Sequence, residues 1–211
     1  MHVDHVVYAA GPSGLDAETR RFEEALGVKS RDGGIHPTFG TRMRLISLTD
    51  ARYLEVVEVL DHPAAEKAAY GQAVRARSEL GGGWLGWVIS VDDLTVYEQR
   101  LERDAVKGLR HFPDGRALEW RQVGVRGLMA DPQLPYFISW VSDEELRPSA
   151  LKGTVKLQKL EIAGNQQRVE DWVGTPVEGA LDNVEIEFTS PSGYPCLHSV
   201  TFLTERGEVR I

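Results

Sequence analysis

The sequence predicts an α+β fold in which two βαβββ modules form one cupped, mixed sheet, followed by a partial third βαββ module. Two observations predict it. Three segments repeat one plan, in which an apolar strand is followed by a tight break and an amphipathic helix that ends at a glycine. After each helix come further strand-like runs, separated by turn residues. Two such modules side by side form a large cupped sheet, whose cavity is the expected ligand site.

The first repeat opens with HVDHVVYAA and continues into a helix in which Leu15, Phe22 and Leu26 recur at helical spacing. Apolar patterning predicts three further strands, at 34–39, 42–48 and 53–60. A second helix, over residues 63–79, links this unit to the next. We therefore assign residues 1–80 to the first module with its linker helix.

The second repeat opens with WLGWVISV directly after a GGG run, and its helix carries Leu94, Tyr97 and Leu101 on one face. We therefore assign residues 84–141 to a second module. The third repeat, TVKLQKLEIAG followed by NQQRVEDWVG, is shorter and is assigned to a partial module over 154–211. The strands predicted in these two units are 109–112, 117–125, 136–141, 184–189 and 197–204.

Composition bounds the class of protein before any motif is considered. The chain has 211 residues, of which 24 are basic and 32 acidic, and its formal net charge is −8. An acidic surface repels phosphate groups, so we expect neither a nucleic acid nor an anionic membrane as partner. The single cysteine, Cys196, excludes an internal disulfide and a cysteine-rich zinc site, which favours a cytoplasmic protein.

Six stretches of the sequence resemble one known family. They are DHVVYAA at 4–10, GGIHPTFGT at 33–41, RYLEVVEV at 52–59, WVISVDDL at 87–94, LEWRQV at 118–123 and LPYFISW at 134–140. In their order and spacing they resemble the glyoxalase-like branch of the vicinal oxygen chelate superfamily. The likeness covers residues 1–141, and the third unit resembles the partial extra module that this branch often carries.

The resemblance implies a divalent metal inside the cup, held by a histidine on the first strand and a carboxylate on the fourth strand of each module. His5 and Glu55 stand at those positions in the first module. An imidazole and a carboxylate suit Zn²⁺, Fe²⁺, Mn²⁺ or Ni²⁺. In the second module the positions fall at or near Gly86 and Ser139, of which glycine has no side chain and serine is a poor ligand. Half of the family's ligand set is therefore absent.

His5 and Glu55 are also the candidate catalytic residues. Strand alternation predicts that Val3, His5 and Val7 share one face, and that Tyr53 and Glu55 share another. A buried carboxylate beside an imidazole is a competent general base, because burial raises the pKa of the carboxyl group. We expect Glu55 to act as base or ligand and His5 as ligand or acid. Alternatively, the two form a hydrogen-bonded pair with a structural or substrate-binding role.

The residues predicted to bind substrate are His36, Thr41, Tyr53, Trp120, Arg121 and Ser139. His36 and Thr41 lie together at the predicted rim of the cup, where an imidazole and a hydroxyl can bind a polar ligand. Trp120 and Arg121 point to opposite faces of their strand, and the sequence does not fix which face lines the cup. The resemblance places Ser139 inward, which would put Arg121 on the cavity wall, where it could pair with a substrate carboxylate.

Three functions remain as alternatives. The first is a small-molecule lyase, isomerase or oxygenase-type enzyme that acts on a carbonyl or vicinal-oxygen metabolite in the cup. The second is a metal-free protein that binds or sequesters a hydrophobic or aromatic small molecule, which five tryptophans favour. The third is a structural or regulatory partner protein, which a cup filled by side chains would support. A homodimer is compatible with all three.

Overall fold

The computed structural model describes residues 1–112, 114–178, 181, 183–190 and 193–211. The elements of the first repeat are β1 (His2–Ala9), α1 (Leu15–Leu26), β2 (Arg31–His36), β3 (Thr41–Ser47) and β4 (Tyr53–Val59). Two linking helices follow, α2 (Pro63–Lys67) and α3 (Ala69–Glu79). The elements of the second repeat are β5 (Gly83–Ser90), α4 (Thr95–Leu101), β6 (Val106–His111), β7 (Ala117–Val123), α5 (Gly127–Ala130) and β8 (Tyr136–Trp140).

These eight strands form one mixed sheet in the order β2-β3-β4-β1-β5-β8-β7-β6. β1 and β5 pair antiparallel at its centre and join a first half, β1 to β4, to a second half, β5 to β8. Within each half the first and last strands pair parallel. The sheet curves until its two edge strands, β2 and β6, lie next to each other. Their proximity is seen at Gly34 of β2, where an added Cβ atom would lie 3.4 Å from Cδ of Arg110 on β6. The predicted α+β fold with a cupped mixed sheet is confirmed.

The rest of the chain forms a second, smaller sheet. Its elements are β9 (Lys156–Ala163), α6 (Gln166–Val173), β10 (Glu185–Thr189), β11 (Cys196–Thr204) and β12 (Gly207–Arg210). The strand order is β10-β9-β11-β12, with β9 and β10 parallel, as β1 and β4 are in the first half. The final strand, β12, extends the predicted βαββ pattern by one strand.

Two apolar cores lie on opposite faces of the large sheet. On the outer face, Trp84 of β5 contacts Phe22 of α1 and Phe202 of β11, with ring centroids 5.9 and 6.3 Å away. The small sheet therefore packs against the outside of the cup and shares its core. On the inner face, α3 buries Tyr70 and Val74 against the strands. The concave side of the sheet is thus covered by a helix from the linker.

Two local differences from the sequence prediction shape the inner face. The helix predicted over 63–79 is interrupted at Ala68, whose backbone is extended with a ψ of 130°. β2 ends at His36, because the amides of Phe39 and Gly40 turn back to donate to its carbonyl oxygen.

Among the residues described, no helix combines the length and apolar character that crossing a membrane requires.

Candidate active site

The inner face of the cupped sheet encloses a cavity of about 20 Å³, large enough for one water molecule. Its lining comes from both halves, from α3 and from the loop after β8: His5, His36, Phe39, Met43, Tyr53, Glu55, Tyr70, Arg110, Leu118, Trp120, Gln122, Tyr136, Ile138, Trp140 and Pro148. Phe39, Tyr70 and Gln122 also line a surface groove of about 980 Å³. These three side chains therefore stand between the groove and the cavity.

His5 occupies the centre of the cavity wall, and its ring stacks on Tyr53 with centroids 4.3 Å apart. A β-bulge interrupts the pairing of β1 with β5 at Asp4, so that Asp4 and His5 lie side by side. Asp4 Oδ1 is 2.6 Å from His5 Nδ1, and Trp140 Nε1 donates to the other carboxylate oxygen at 2.9 Å. The bulge shifts the alternation by one residue, so Val3 lies in the outer core and the prediction that it shares a face with His5 is wrong.

His5 and Glu55 face each other inside the cavity. Acceptance by the Asp4 carboxylate fixes a proton on His5 Nδ1, which leaves Nε2 for the cavity side. Nε2 is 3.3 Å from Tyr136 Oη and 3.7 Å from Glu55 Oε2, while Glu55 Oε1 accepts a 2.6 Å hydrogen bond from Tyr70. Burial raises the pKa of Glu55, and the neighbouring His5 and Tyr70 oppose that rise. Two buried titratable groups therefore face each other, with no direct hydrogen bond between them.

His36 is a second buried imidazole on the cavity wall. Its Nδ1 is 3.4 Å from Thr41 Oγ1, and its ring meets Trp120 edge-on with centroids 5.3 Å apart. Thr41 is buried behind the imidazole and does not line the cavity. Burial, followed by the Arg110 cation and His5, lowers the pKa of His36 to about 3. This imidazole is therefore neutral at physiological pH.

The second half of the sheet carries apolar residues where the first carries this pair. In the first half, His5 of β1 lies opposite Tyr53 of β4. In the second half, Val88 of β5 lies opposite Tyr136 of β8 in the same parallel register. Val88 is therefore the counterpart of His5, and no imidazole faces the cavity from this position.

The counterpart of Glu55 follows from the same register. Glu55 comes two residues after its paired tyrosine, and the corresponding residue of β8 is Ile138. The positions expected at or near Gly86 and Ser139 are thus corrected to Val88 and Ile138. The conclusion that the second module lacks both ligands is unchanged, because valine and isoleucine have no donor atoms.

The donor set does not fit the divalent metal that the resemblance implies. His5 Nε2 and Glu55 Oε2 are the two donors that face one another, 3.7 Å apart. Zinc sites in proteins take three or four protein ligands, and non-haem iron sites take two histidines and a carboxylate. Within the described part of the chain, no group of three histidine, cysteine, aspartate or glutamate side chains could hold an ion.

Arg121 and Ser139 lie on the outer side of the sheet. Arg121 Nη2 donates to Glu98 of α4 at 2.7 Å, and Ser139 donates its hydroxyl to a backbone carbonyl of the loop after β5. Trp120 faces the cavity, so the period of two turns its neighbour Arg121 outward, and the same holds for Ser139 beside Ile138. The prediction that Arg121 and Ser139 line the cup is wrong, because it placed both strands one residue out of phase.

The site also contains residues that sequence reasoning missed: Asp4, Tyr70, Arg110 and Tyr136. A signal existed for Arg110, since β6 reads VKGLRH and alternation puts Arg110 on the face of Gly108, where a side chain would collide with Trp120. Asp4 gave no such signal, because its position depends on the bulge. Tyr70 gave none either, because its contact with the cup depends on how α3 packs.

Comparisons with known proteins agree with this architecture. The sequence profile of the glyoxalase-like domain family matches residues 3–175. No curated protein matches the chain. Among solved structures, the chain is similar to a hypothetical protein from Staphylococcus aureus, with 17% identity over 99% of this chain and 98% of that one and a TM-score of 0.72. It is also similar to methylmalonyl-CoA epimerase from Mycobacterium tuberculosis, with 17% identity over 69% and 90% of the two chains and a TM-score of 0.42.

Proposed function

The chain belongs to the glyoxalase-like domain family of the vicinal oxygen chelate superfamily, and we propose that it is an enzyme that moves a proton on a small carbonyl compound bound in the cup. The reaction class is isomerisation or elimination, with Glu55 and His5 as the acid–base pair. The observation that carries the proposal is the burial of these two groups face to face, 3.7 Å apart, in one cavity. Buried titratable groups with shifted pKa values concentrate at active sites.

Each group of the pair has a defined part in the reaction. Glu55 takes a proton from the carbon next to the carbonyl, and the C–H electron pair moves into the enolate. Tyr70 holds Oε1 of Glu55, which leaves Oε2 as the basic atom, and the raised pKa makes that atom a better base at neutral pH. Tyr136 supplies a hydroxyl that can donate to the enolate oxygen. Glu55 passes the proton that it took to Nε2 of His5, which lies 3.7 Å from Oε2, and His5 delivers it to a different carbon in an isomerisation or to the leaving group in an elimination.

Asp4 supports this chemistry without touching the substrate. Its carboxylate holds Nδ1 of His5 at 2.6 Å, and Trp140 holds the carboxylate from the other side. A carboxylate in this position orients the imidazole and fixes which of its two nitrogens faces the cavity. We route no step through a metal ion, because the described donors do not make up a ligand set.

A second candidate is a metal-free protein that binds an aromatic or hydrophobic small molecule. The observation that favours it is the aromatic lining of the cavity, which includes the rings of Phe39, Tyr70 and Trp120. A binding protein of this kind has no need of a titratable pair. The two functions therefore differ in whether a bound carbonyl compound loses a proton.

Hydrogen exchange in D₂O separates these functions. We would incubate the protein with a panel of small aldehydes, ketones and 2-oxo acids, and follow the ¹H NMR signal of the hydrogen beside the carbonyl. We expect the wild type to accelerate exchange, and Glu55→Gln to slow it by about 100-fold or more, the usual contribution of a general base. The matched control is Glu119→Gln, which removes a carboxylate from the outer face of β7, where it pairs with Lys107.

The outcomes distinguish the two candidates. Equal exchange rates in the wild type and Glu55→Gln would contradict the assignment of Glu55 as the base. Thermal stabilisation by a carbonyl compound that undergoes no exchange would favour the binding protein.

We also propose a cytoplasmic location. The single cysteine supports it, since a chain with one thiol depends on no internal disulfide. Burial raises the pKa of the Cys196 thiol, so it is a weak nucleophile. The net charge of −8 supports a small molecule rather than a nucleic acid as the ligand.

A further inference from the structure

Among the described residues, one cation in the cup, Arg110, has no ion pair with a carboxylate. Arg110 projects from β6 into the cavity and is only 7% exposed. Its Nη1 is buried, with no hydrogen-bond partner in the described residues. The guanidinium lies over the ring of Phe112, 4.4 Å from its centroid, and that ring offers no acceptor of a conventional hydrogen bond. The acidic side chains that act on Arg110 do so at longer range, from Asp32 and Glu55.

The chain satisfies its other deeply buried arginine in the usual way. Arg52, which is 2% exposed, donates from Nε to the carbonyl oxygen of Val3 at 2.9 Å and pairs with Asp50 at 3.5 Å. A buried charge without such partners destabilises the folded state. Among the described residues two arginine nitrogens are buried without a hydrogen-bond partner, Nε of Arg77 and Nη1 of Arg110, and of these two residues Arg110 is the one that lines the cavity. An unsatisfied donor in such a position is typical of binding sites.

The surroundings of Arg110 select a carboxylate as its partner. His36 on the same wall is neutral, so it does not compete with Arg110 for an anion. The guanidinium is planar and presents paired N–H groups, which match the two oxygens of a carboxylate. The rest of the cavity wall is mainly aromatic and apolar, which suits a small organic anion better than a strongly hydrated inorganic one.

We infer that Arg110 forms a carboxylate subsite, so that the molecule bound in the cup is a small carbonyl compound bearing a carboxylate group. Its carboxylate accepts from Nη1 of Arg110, and its reactive carbon lies beside Glu55 Oε2 and His5 Nε2, in reach of both. Entry takes place from the surface groove, by displacement of the side chains of Phe39 and Tyr70 that separate groove from cavity. The position of the reactive carbon rests on the proposed function, whereas the anion subsite is testable by binding alone.

The test compares charged and neutral probes on matched variants. Calorimetry and thermal shift would be measured with pyruvate and benzoate, with acetone and benzamide as uncharged counterparts, and with inorganic phosphate. The variants are Arg110→Met, Arg110→Lys and, as a control, Arg121→Met, which removes an exposed arginine from the outer face of the neighbouring strand.

We expect at least one carboxylate to bind the wild type at least tenfold more tightly than its neutral counterpart, and Arg110→Met to lose that preference. Arg110→Lys should keep part of it, because it retains the charge but not the planar pair of donors. Arg121→Met should bind like the wild type. Equal binding of carboxylates by the wild type and Arg110→Met would overturn the inference, as would equal binding of inorganic phosphate and carboxylates.

The unliganded proteins give a second readout. Because an unpaired buried charge destabilises the fold, Arg110→Met without ligand should melt at the same temperature as the wild type or higher. A melting temperature several degrees lower would show that Arg110 has a structural role and would overturn the inference. Arginine-dependent carboxylate binding without hydrogen exchange would leave the subsite standing and refute the proposed function alone.

Discussion

The two halves of the eight-stranded sheet share one strand register and differ in chemistry. The first half presents His5 and Glu55 to the cavity, while the corresponding positions of the second half hold Val88, in the inner core, and Ile138, on the cavity wall. The second half contributes a fixed cation instead, Arg110. The difference shows that this cup is not a symmetric metal cage. In the function that we propose, the first half supplies the acid–base pair and the second half supplies the cation that binds the substrate.

The largest expected effect comes from making the halves alike. Glu55→Ile places in the first half the residue that the second half already has. We expect hydrogen exchange of a carbonyl substrate to fall by about 100-fold or more, because the base is lost and His5 alone remains. NMR exchange rates in D₂O would measure the effect, with Ile138→Leu as a size-conserving control on the other half. Exchange at the wild-type rate in Glu55→Ile would show that His5 suffices.

The converse change would build in the second half what the first half has. The double variant Val88→His, Ile138→Glu completes a ligand set of two imidazoles and two carboxylates around the cavity. With Zn²⁺ at about 100 times its dissociation constant, we expect the melting temperature to rise by about 5–10 °C, reversibly with chelator. The wild type should show no such rise. Equal stabilisation of both proteins by Zn²⁺ would show that the two donors of the first half bind metal unaided.

A smaller effect concerns the dependence of stability on pH at His36. The pKa of this imidazole is about 3 in the folded protein, against 6.5 for an exposed imidazole. Between these two pH values the imidazole is protonated in the unfolded chain and neutral in the folded protein. Its contribution to stability is complete above pH 6.5 and is lost as the pH falls toward 3. The expected slope is about 1.4 kcal/mol per pH unit.

Urea unfolding between pH 6.5 and 4.5 would measure this slope in the wild type and in His36→Gln. Glu23, whose pKa is lowered from 4.5 to about 2, acts in the same direction near the lower end of this window. Glu55 has the opposite sign, because its pKa is raised. Both groups are present in the two proteins and cancel in the difference. Equal slopes in the two proteins would contradict the burial of a neutral imidazole.

The smallest effects are expected on the outer face of the second half. Arg121→Met and Ser139→Ala remove a surface ion pair and one hydrogen bond to the backbone. Each should change the free energy of unfolding by no more than about 1 kcal/mol and leave ligand binding unchanged. Urea unfolding and calorimetry would check both. Loss of ligand binding in either variant would contradict the placement of these residues outside the cavity.

The first half of the site was accessible from the sequence. Apolar patterning located β1 and β4, and alternation within β4 placed Tyr53 and Glu55 on one face, as the structure shows. The family resemblance identifies His5, the glycine-bounded segment 33–41 identifies His36, and both residues line the cavity. These placements depend on residues close together in the chain, and the roles assigned to the two histidines stay predictions.

The remaining parts of the site depend on long-range geometry. Ser139 was assigned to the cup by resemblance, and an error of one residue in a strand reverses the face of every side chain. Asp4 joins His5 through a bulge that the sequence does not announce. Tyr70 reaches Glu55 across 15 positions, from a helix whose packing is set by the whole inner core. The sequence prediction began this strand at residue 109 and so left out Gly108. β6 begins at Val106, and the shared face of Gly108 and Arg110 follows from this longer strand.

The most direct test of the central claim is the pKa of Glu55, measured by ¹³C NMR of the side-chain carboxyl groups and assigned by comparison with Glu55→Gln. We predict a pKa above the ordinary value of 4.5, because burial disfavours the charged carboxylate. We also predict a further rise in Arg110→Met, because the cation of the second half lowers the pKa of the base in the first. A Glu55 pKa at or below 4.5, unmoved by Arg110→Met, would contradict the account of a buried base working beside a fixed cation.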